Sequence, residues 1–159
     1  MDALHGGTLY LEKPRDPHRV DRFGPLIGAS QSMRSVYELI GRVAGTNAGV
    51  LISGETGTGR ELVAQTIHSL SRRSEQAFLP LNCGAVSAAL IESELFGHER
   101  GSFTGADRQH KGFFERATGG TVFLDEATEM PIERQVKLRR VLETGTVTRI
   151  GGSEQLKVD

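Results

Sequence analysis

The sequence predicts an α/β layered fold, in which apolar strands alternate with amphipathic helices. Two observations carry this prediction. A short apolar run at residues 50–52 enters a glycine-rich turn that opens a helical stripe, and a second apolar run, 121–124, ends at the carboxylates Asp125 and Glu126. Because ligands bind α/β sheets where the strands end, both features also predict a binding site.

The composition is that of one small soluble unit. The 159 residues are 37% hydrophobic, which is enough to bury one core, and the net charge of −1 gives no basic field for nucleic acid. A single cysteine excludes an internal disulfide, and no apolar run is long enough to span a membrane. A cytoplasmic location is expected.

The first half of the chain begins with a leader or linker, residues 1–25, in which three prolines and scattered charges allow at most a short strand at 8–11. Helical spacing from Met33 to Ala44 then predicts an amphipathic helix with Ser30 or Ser32 as N-cap. The run 50–52 predicts a buried parallel strand, and a second helical stripe at 62–70 follows the glycine turn.

The second half of the chain repeats the alternation. A strand is predicted at 78–81, at a sheet edge because Pro80 has no N–H to donate. A helix at 88–95, a buried strand at 121–124 and a helix at 132–142 follow. The last segment predicts a β-hairpin that pairs 147–150 with 155–158.

The glycine-rich turn is a candidate phosphate-binding loop, because backbone N–H groups and the positive end of a helix dipole would point at an anion there. An ordinary strand-to-helix turn is the alternative. Lysine followed by Ser or Thr usually ends such a loop, and the longer guanidinium of Arg60 is expected to weaken hydrolysis more than binding. The loop consists of Gly54, Glu55, Thr56, Gly57, Thr58, Gly59, Arg60 and Glu61.

The carboxylate pair after the strand at 121–124 suits the other half of a nucleotide site. At the carboxyl end of a strand, Asp125 can hold Mg²⁺ and Glu126 can activate an attacking water. The alternative is an acidic N-cap for the helix that follows.

Taken together, these segments resemble the AAA+ ATPase domain of sigma-54-dependent transcriptional activators, also called bacterial enhancer-binding proteins. The resemblance runs from Leu26 to the end of the chain and is carried by 54–61, 81–83, 92–99, 101–106, 119–126 and 137–152. It implies a P-loop NTPase (AAA+) three-layer sandwich around a parallel central sheet. Glu61 is usual in that family. Arg60 departs from its pattern, and so does Ser102, at a position where alanine is usual.

The resemblance also implies site roles. ATP and Mg²⁺ are the expected cofactors, with Asp125 on the metal, Glu126 activating water and Asn82 acting as a switch that reports the γ-phosphate. An ordinary strand-end amide is the alternative for Asn82. His98 and His110 lack metal-ligand spacing, and Cys83 is expected to pack as a small apolar residue.

A six-residue loop has no evident part in nucleotide binding. In the family the matching loop contacts the sigma-54 factor of RNA polymerase, with Phe103 and Thr104 at its tip. A surface turn that tucks one aromatic ring inward is the alternative. The loop consists of Gly101, Ser102, Phe103, Thr104, Gly105 and Ala106.

Relatives continue beyond the position of Asp159 into a further strand, arginine fingers, a helical lid and commonly a DNA-binding domain. Residues 26–159 are therefore expected to be a C-terminally truncated AAA+ domain with little ATPase activity by itself. Two functions stay open. One is ATP-driven remodelling of sigma-54 RNA polymerase by a hexameric ring of the complete protein, which would contact DNA only through a domain absent here. The other is a truncated regulatory fragment that binds ATP or sigma-54 without turnover.

Overall fold

The computed structural model describes residues 22–159, which divide into two compact units at residues 75 and 76. Each unit is described by itself. The strand predicted at 8–11 and most of the leader lie outside the described residues. Within residues 22–159, no helix is long and apolar enough to cross a membrane.

The first unit is a helical pair with a small hairpin. β1 (Arg22–Phe23) pairs antiparallel with β2 (Leu26–Ile27), and the chain then forms α1 (Gln31–Ala44) and α2 (Arg60–Leu70). Both helices were predicted, and the Ser30 side chain caps α1 by accepting a 3.2 Å hydrogen bond from the Met33 N–H. The hairpin was not predicted, because two-residue strands carry no readable alternation.

The core of this unit lies between the hairpin and the two helices. Phe23 stacks on Tyr37 with ring centroids 5.3 Å apart, and the Tyr37 hydroxyl donates a 3.1 Å hydrogen bond to the Gly28 carbonyl. The buried residues of this core are Phe23, Leu26, Tyr37 and Ile40.

The prediction of a buried strand at 50–52 is wrong for this unit. The segment is not a strand, Leu51 is 94% exposed and Val50 is 44% exposed. A strand needs a neighbour to bond its N–H and C=O groups and to cover its side chains. In the first unit, from residue 22 onward, the one strand pair is the β1–β2 hairpin, so the apolar run has no strand partner there.

The second unit contains the parallel sheet. β3 (Phe78–Asn82) pairs in parallel with β4 (Thr121–Asp125), in a register that runs from Phe78 opposite Thr121 to Asn82 opposite Asp125. β4 was expected to be buried, but all five of its residues are partly exposed. The reason is that β3 is its one ladder partner among the described residues.

The helices of the second unit are α3 (Ala88–Phe96), the one-turn α4 (Phe113–Arg116) and α5 (Ile132–Thr144). The predictions for α3 and α5 are confirmed, whereas α4 is too short to show a period. The predicted hairpin is present in shorter form, as β5 (Thr146–Val147) paired antiparallel with β6 (Leu156–Lys157).

α3 supplies the centre of the second core. Ile91, Leu95 and Phe96 are at most 1% exposed, and Cys83 packs among them as a small apolar residue, as predicted. The buried members of this core are Leu81, Cys83, Ile91, Leu95, Phe96, Met130, Val141 and Val147.

Two neighbouring residues of α3 test this arrangement. Ile91 is 1% exposed and Leu90 is 54% exposed. We expect Ile91→Ala to lower the free energy of unfolding by about 2–5 kcal/mol, because it leaves a cavity in the core. Leu90→Ala is the matched control and should change it by less than about 0.5 kcal/mol. Equal effects in chemical denaturation would contradict this placement of α3.

Candidate functional site

The candidate phosphate loop leads directly into α2. Gly57 and Gly59 have φ angles of +83° and +92°, a left-handed backbone that residues with a Cβ adopt at a cost. The Thr58 N–H and hydroxyl both donate to the Glu55 carbonyl, at 3.2 and 2.7 Å, which closes the turn. The N-cap residue of α2 is Gly59, which has no side chain to cap the first turn, and helix starts of this kind attract anions.

Arg60 and Glu61 stand at the first positions of α2. The Arg60 guanidinium donates a long hydrogen bond of 3.4 Å to the Gly54 carbonyl, so its fork is turned back onto the loop backbone. The Glu61 carboxylate accepts a 3.1 Å hydrogen bond from the Gln65 side chain, one helical turn further along. The Arg60 guanidinium therefore contacts the backbone of its own loop.

The second set of predicted residues meets at the carboxyl ends of β3 and β4. Asn82 lies directly opposite Asp125 in the parallel register, and Glu126 follows Asp125. The Asp125 Oδ1 atom accepts a 3.0 Å hydrogen bond from the Glu126 N–H. The Glu126 side chain makes no capping hydrogen bond, so the acidic N-cap alternative is not realised.

Glu126 has an unusual backbone conformation. Its φ of +53° makes it the one non-glycine residue with a positive φ among residues 22–159. Left-handed conformations cost a residue with a Cβ roughly 1–2 kcal/mol, and such strain concentrates at functional sites. The conformation turns the chain sharply after β4 into the short 3₁₀ turn Ala127–Glu129.

Gly84 determines how close Asn82 and Glu126 come. The Asn82 Oδ1 atom accepts hydrogen bonds from the N–H groups of Gly84 and Ala85, at 2.9 and 3.1 Å, which folds the chain over the end of β3. A methyl group added at Gly84 would overlap the Glu126 Oε2 atom and lie 3.4 Å from Asn82 Oδ1. The bare Cα therefore lets amide and carboxylate approach, although no hydrogen bond joins these two described side chains. Sequence reasoning missed the role of Gly84. Its position two residues after Asn82 was the one signal that could have indicated it.

The buried Cys83 thiol beside these carboxylates is a poor nucleophile. Burial, with smaller contributions from the charges of Asp125 and Glu126, raises the pKa of Cys83 to about 11. The thiol therefore stays protonated near neutral pH. Within the described residues, no group of three or more His, Cys, Asp or Glu side chains could hold a metal ion. Any Mg²⁺ would have to complete its coordination with water and substrate phosphates.

The six-residue loop is a closed turn. The Gly101 N–H donates to the Ala106 carbonyl at 2.8 Å, and the Ala106 N–H donates to the Phe103 carbonyl at 3.0 Å. Gly101 and Gly105 have φ angles of +78° and +98°, so both bends depend on glycine. Phe103 is 40% exposed, and its ring is neither fully tucked inward nor free of the protein.

Ser102, the departure from the family pattern, faces inward at the base of the loop. A methyl group added at Gly151 would come within 2.5 Å of the Ser102 Cβ atom, so the two residues touch closely. The Ser102 hydroxyl is buried without a hydrogen-bond partner. A buried hydroxyl without a partner costs about 1–3 kcal/mol, which alanine at this position would avoid.

An ion cluster that sequence reasoning missed holds the loop base. Arg149 donates to both carboxylate oxygens of Glu115, at 2.8 and 2.6 Å, and to Glu99 Oε1 at 2.9 Å. The Arg149 and Glu115 side chains are each only 10% exposed. The hydrogen bonds to Glu115, and to a smaller extent the one to Glu99, raise the pKa of Arg149. The hydrogen bond that Glu99 accepts from Gln109, followed by the one from Arg149, lowers the pKa of Glu99.

This cluster joins segments that are far apart in sequence. Arg149 is 50 residues from Glu99 and 34 from Glu115, so no local pattern could have paired them. Backbone bonds reinforce the same junction, because the Glu99 N–H donates to the Ile150 carbonyl at 2.9 Å. The residues below the loop are therefore held together by both ion pairs and backbone hydrogen bonds.

Arg149→Ala tests the importance of this base. It leaves the Glu115 carboxylate buried without its partner, and we expect the free energy of unfolding to fall by about 3 kcal/mol. The control is Arg139→Ala, which breaks an exposed pair with Glu143 in α5 and should have no measurable effect. If both variants unfold at the same denaturant concentration, the cluster does not stabilise the loop base.

Comparisons with known proteins agree with this geometry. The family model described as Sigma-54 interaction domain matches residues 26–159. The DNA-binding transcriptional regulator NtrC of Azospirillum brasilense is 46% identical over 157 residues, 99% of this chain and 33% of that protein. Nitrogen fixation protein AnfA of Azotobacter vinelandii is 55% identical over 162 residues, 100% of this chain and 30% of that protein. The chain thus spans about a third of the length of these relatives.

Solved structures are similar as well. NtrX from Brucella abortus, crystallised in complex with ATP, is 39% identical with a TM-score of 0.75, over 84% of this chain and 28% of that chain. Its structure with ADP gives a TM-score of 0.76 at the same identity. The predicted P-loop NTPase fold of the AAA+ type is confirmed. The chain belongs to the sigma-54 interaction domain family, the AAA+ domain of NtrC-like transcriptional activators.

Proposed function

We propose that this chain is the ATP-hydrolysing module of a sigma-54-dependent activator and that it couples hydrolysis to remodelling of sigma-54 RNA polymerase. The observation that carries the proposal is the meeting of Asn82, Asp125 and Glu126 at the ends of two paired parallel strands. Residues 26–159 are the AAA+ domain in this proposal, and residues 1–25 are a leader.

The phosphates of ATP are held by residues 54–61. The left-handed glycines at 57 and 59 leave the backbone open to close approach, and the uncapped start of α2 supplies N–H donors. The similar NtrX chain was crystallised in complex with ATP, which supports ATP as the ligand.

The carboxylates perform the chemistry. Asp125 would hold Mg²⁺, which would neutralise charge on the phosphates. Glu126 would orient and deprotonate the attacking water, and its left-handed backbone turns the chain at the end of β4. Asn82, separated from Glu126 by the bare Cα of Gly84, would respond in this proposal to a change in that carboxylate.

Glu126→Gln tests the catalytic role. The amide cannot accept the proton of the attacking water, so ATP turnover of the complete protein should be lost while its ATP affinity is kept. The control is Glu129→Gln, an exposed carboxylate three residues further along the same turn, which should leave both unchanged. Phosphate release and equilibrium nucleotide binding measure the two quantities. Unchanged turnover in Glu126→Gln would remove Glu126 from the mechanism.

Arg60→Lys tests the unusual phosphate loop. A compact ammonium suits the β- and γ-phosphates better than a guanidinium that bonds the Gly54 carbonyl, so ATP turnover of the complete protein should rise. The same contact favours the second candidate function, a fragment that binds nucleotide without turnover. Arg72→Lys, on an exposed arginine after α2, is the control. Lower turnover in Arg60→Lys would mean that the loop is adapted to arginine.

The six-residue loop is the output of the module in this proposal. Its closed turn carries Phe103 and Thr104 exposed at the tip, on a base fixed by Arg149. The partner is sigma-54, and the active form is a hexameric ring of the complete protein. DNA would be contacted only by a domain outside this chain.

Thr104→Ala separates output from catalysis. In the complete protein, we expect ATP turnover to remain near normal and sigma-54 binding to be lost, since Thr104 is exposed at the tip and belongs to no part of the phosphate site. Thr118→Ala, an exposed threonine outside the loop, is the control. A pull-down of sigma-54 with an ATP transition-state analogue measures the contact. Retained binding by Thr104→Ala would place the contact elsewhere.

A further inference from the structure

His98 lies at the base of the six-residue loop, and both of its ring nitrogens have partners. The Nε2 atom is 3.0 Å from the Arg108 carbonyl, and the Nδ1 atom is 2.6 Å from the Ser93 hydroxyl. A carbonyl only accepts, so Nε2 carries the proton, and Nδ1 accepts from the serine hydroxyl. The two bonds fix both the tautomer and the orientation of the imidazole.

The oriented ring touches the loop tip. The ring of Phe103 meets the imidazole edge to face, with centroids 4.9 Å apart and an interplanar angle of 69°. His110 also contacts the imidazole, but in a stacked arrangement with centroids 5.4 Å apart. Edge-to-face pairs at this distance are favourable aromatic contacts. Phe103 thus rests on a ring whose direction is set by other residues.

The partners of His98 come from three segments, which are α3, the loop tip and the residues that follow the loop. Ser93 is a buried residue of α3, only 4% exposed, and Arg108 follows the loop on its outgoing side. The backbone at Gly97, the residue before His98, is closely packed. A methyl group added at Gly97 would come within 2.6 Å of the His110 carbonyl and 2.9 Å of the Gly112 nitrogen. The imidazole is therefore a fixed support between α3 and the loop.

We propose that His98 is a positioning residue for the loop tip, with Ser93 orienting it, and that the pair sets the resting position of the Phe103 ring. The consequence for the partner rests on the proposed function: a tip held in place presents Phe103 and Thr104 to sigma-54 in one arrangement. His98 does not touch nucleotide in this proposal. It acts through Phe103 alone.

A single tryptophan can report on the tip. The chain contains no tryptophan, so Phe103→Trp in the full chain places one at the tip. In that background, His98→Gln should raise the acrylamide quenching of the tryptophan and lower its anisotropy. The loss of one aromatic contact changes the ratio of docked to free tip by roughly three- to tenfold. Ser93→Ala should act in the same direction with a smaller change, because it frees the ring without removing it.

His110→Gln is the matched control. It removes the other ring that contacts His98 but does not remove the support of the tip, so the tryptophan signal should stay at the parent value. Equal signals in all three variants would overturn the proposal, because they would indicate general packing. No response to Ser93→Ala in a folded protein would overturn it as well. Ser93→Ala decides the outcome if His98→Gln lowers the melting temperature so far that it unfolds.

The second arm uses the complete protein with the native Phe103 and measures sigma-54 binding and ATP turnover of Ser93→Ala. We expect weaker sigma-54 binding at unchanged turnover. If the tryptophan responds but the complete parent protein binds no sigma-54, the proposed function fails and the positioning role stands. If the complete parent protein binds sigma-54 but the tryptophan does not respond, the positioning role fails and the proposed function stands.

Discussion

The parallel register of β3 and β4 is the constraint on which the second unit depends. It places Asn82 opposite Asp125, so a strand-end amide and a strand-end carboxylate reach the same edge of the sheet. A slip of one residue would turn each side chain to the other face and separate them. The backbone bond from the Cys83 N–H to the Asp125 carbonyl, 2.9 Å long, continues the pairing one step beyond the strands. The turn containing Gly84 and the conformation of Glu126 both begin from that point.

The same unit presents its loop from a rigid base. The Arg149 cluster and the contact of Gly151 with Ser102 hold the backbone below the loop, while His98, which is bonded to Ser93, contacts Phe103 at its tip. These supports differ in chemistry. The cluster depends on charge in a mostly buried setting, whereas the histidine depends on neutral hydrogen bonds and ring contact. Both supports limit the conformations of the loop, because exposed segments without such supports sample many conformations.

Sequence reasoning recovered the features that depend on local pattern. The α1 cap at Ser30, helices α2, α3 and α5, and the pairing of the last two strands all follow from periodicity and turn residues. The strand predicted at 50–52 is absent for a physical reason, since a strand forms only where a neighbouring strand pairs with it. The carboxylate half of the site followed from its place after a strand. Gly84, the ion pairs of Arg149 and the support of Phe103 could not be read from the chain, because each depends on residues brought together by the fold.

The left-handed backbone of Glu126 has a further consequence for how this site can change. At a φ of +53°, glycine is the residue that would fold with least strain, and asparagine or aspartate would be tolerated next. None of these three has a side chain as long as that of glutamate. Thermodynamic optimisation of the chain would therefore shorten or remove the carboxylate to which the proposed function assigns water activation. If that proposal holds, stability-guided engineering of this domain should keep Glu126, since the substitution that folding favours is one that the proposed chemistry cannot accept.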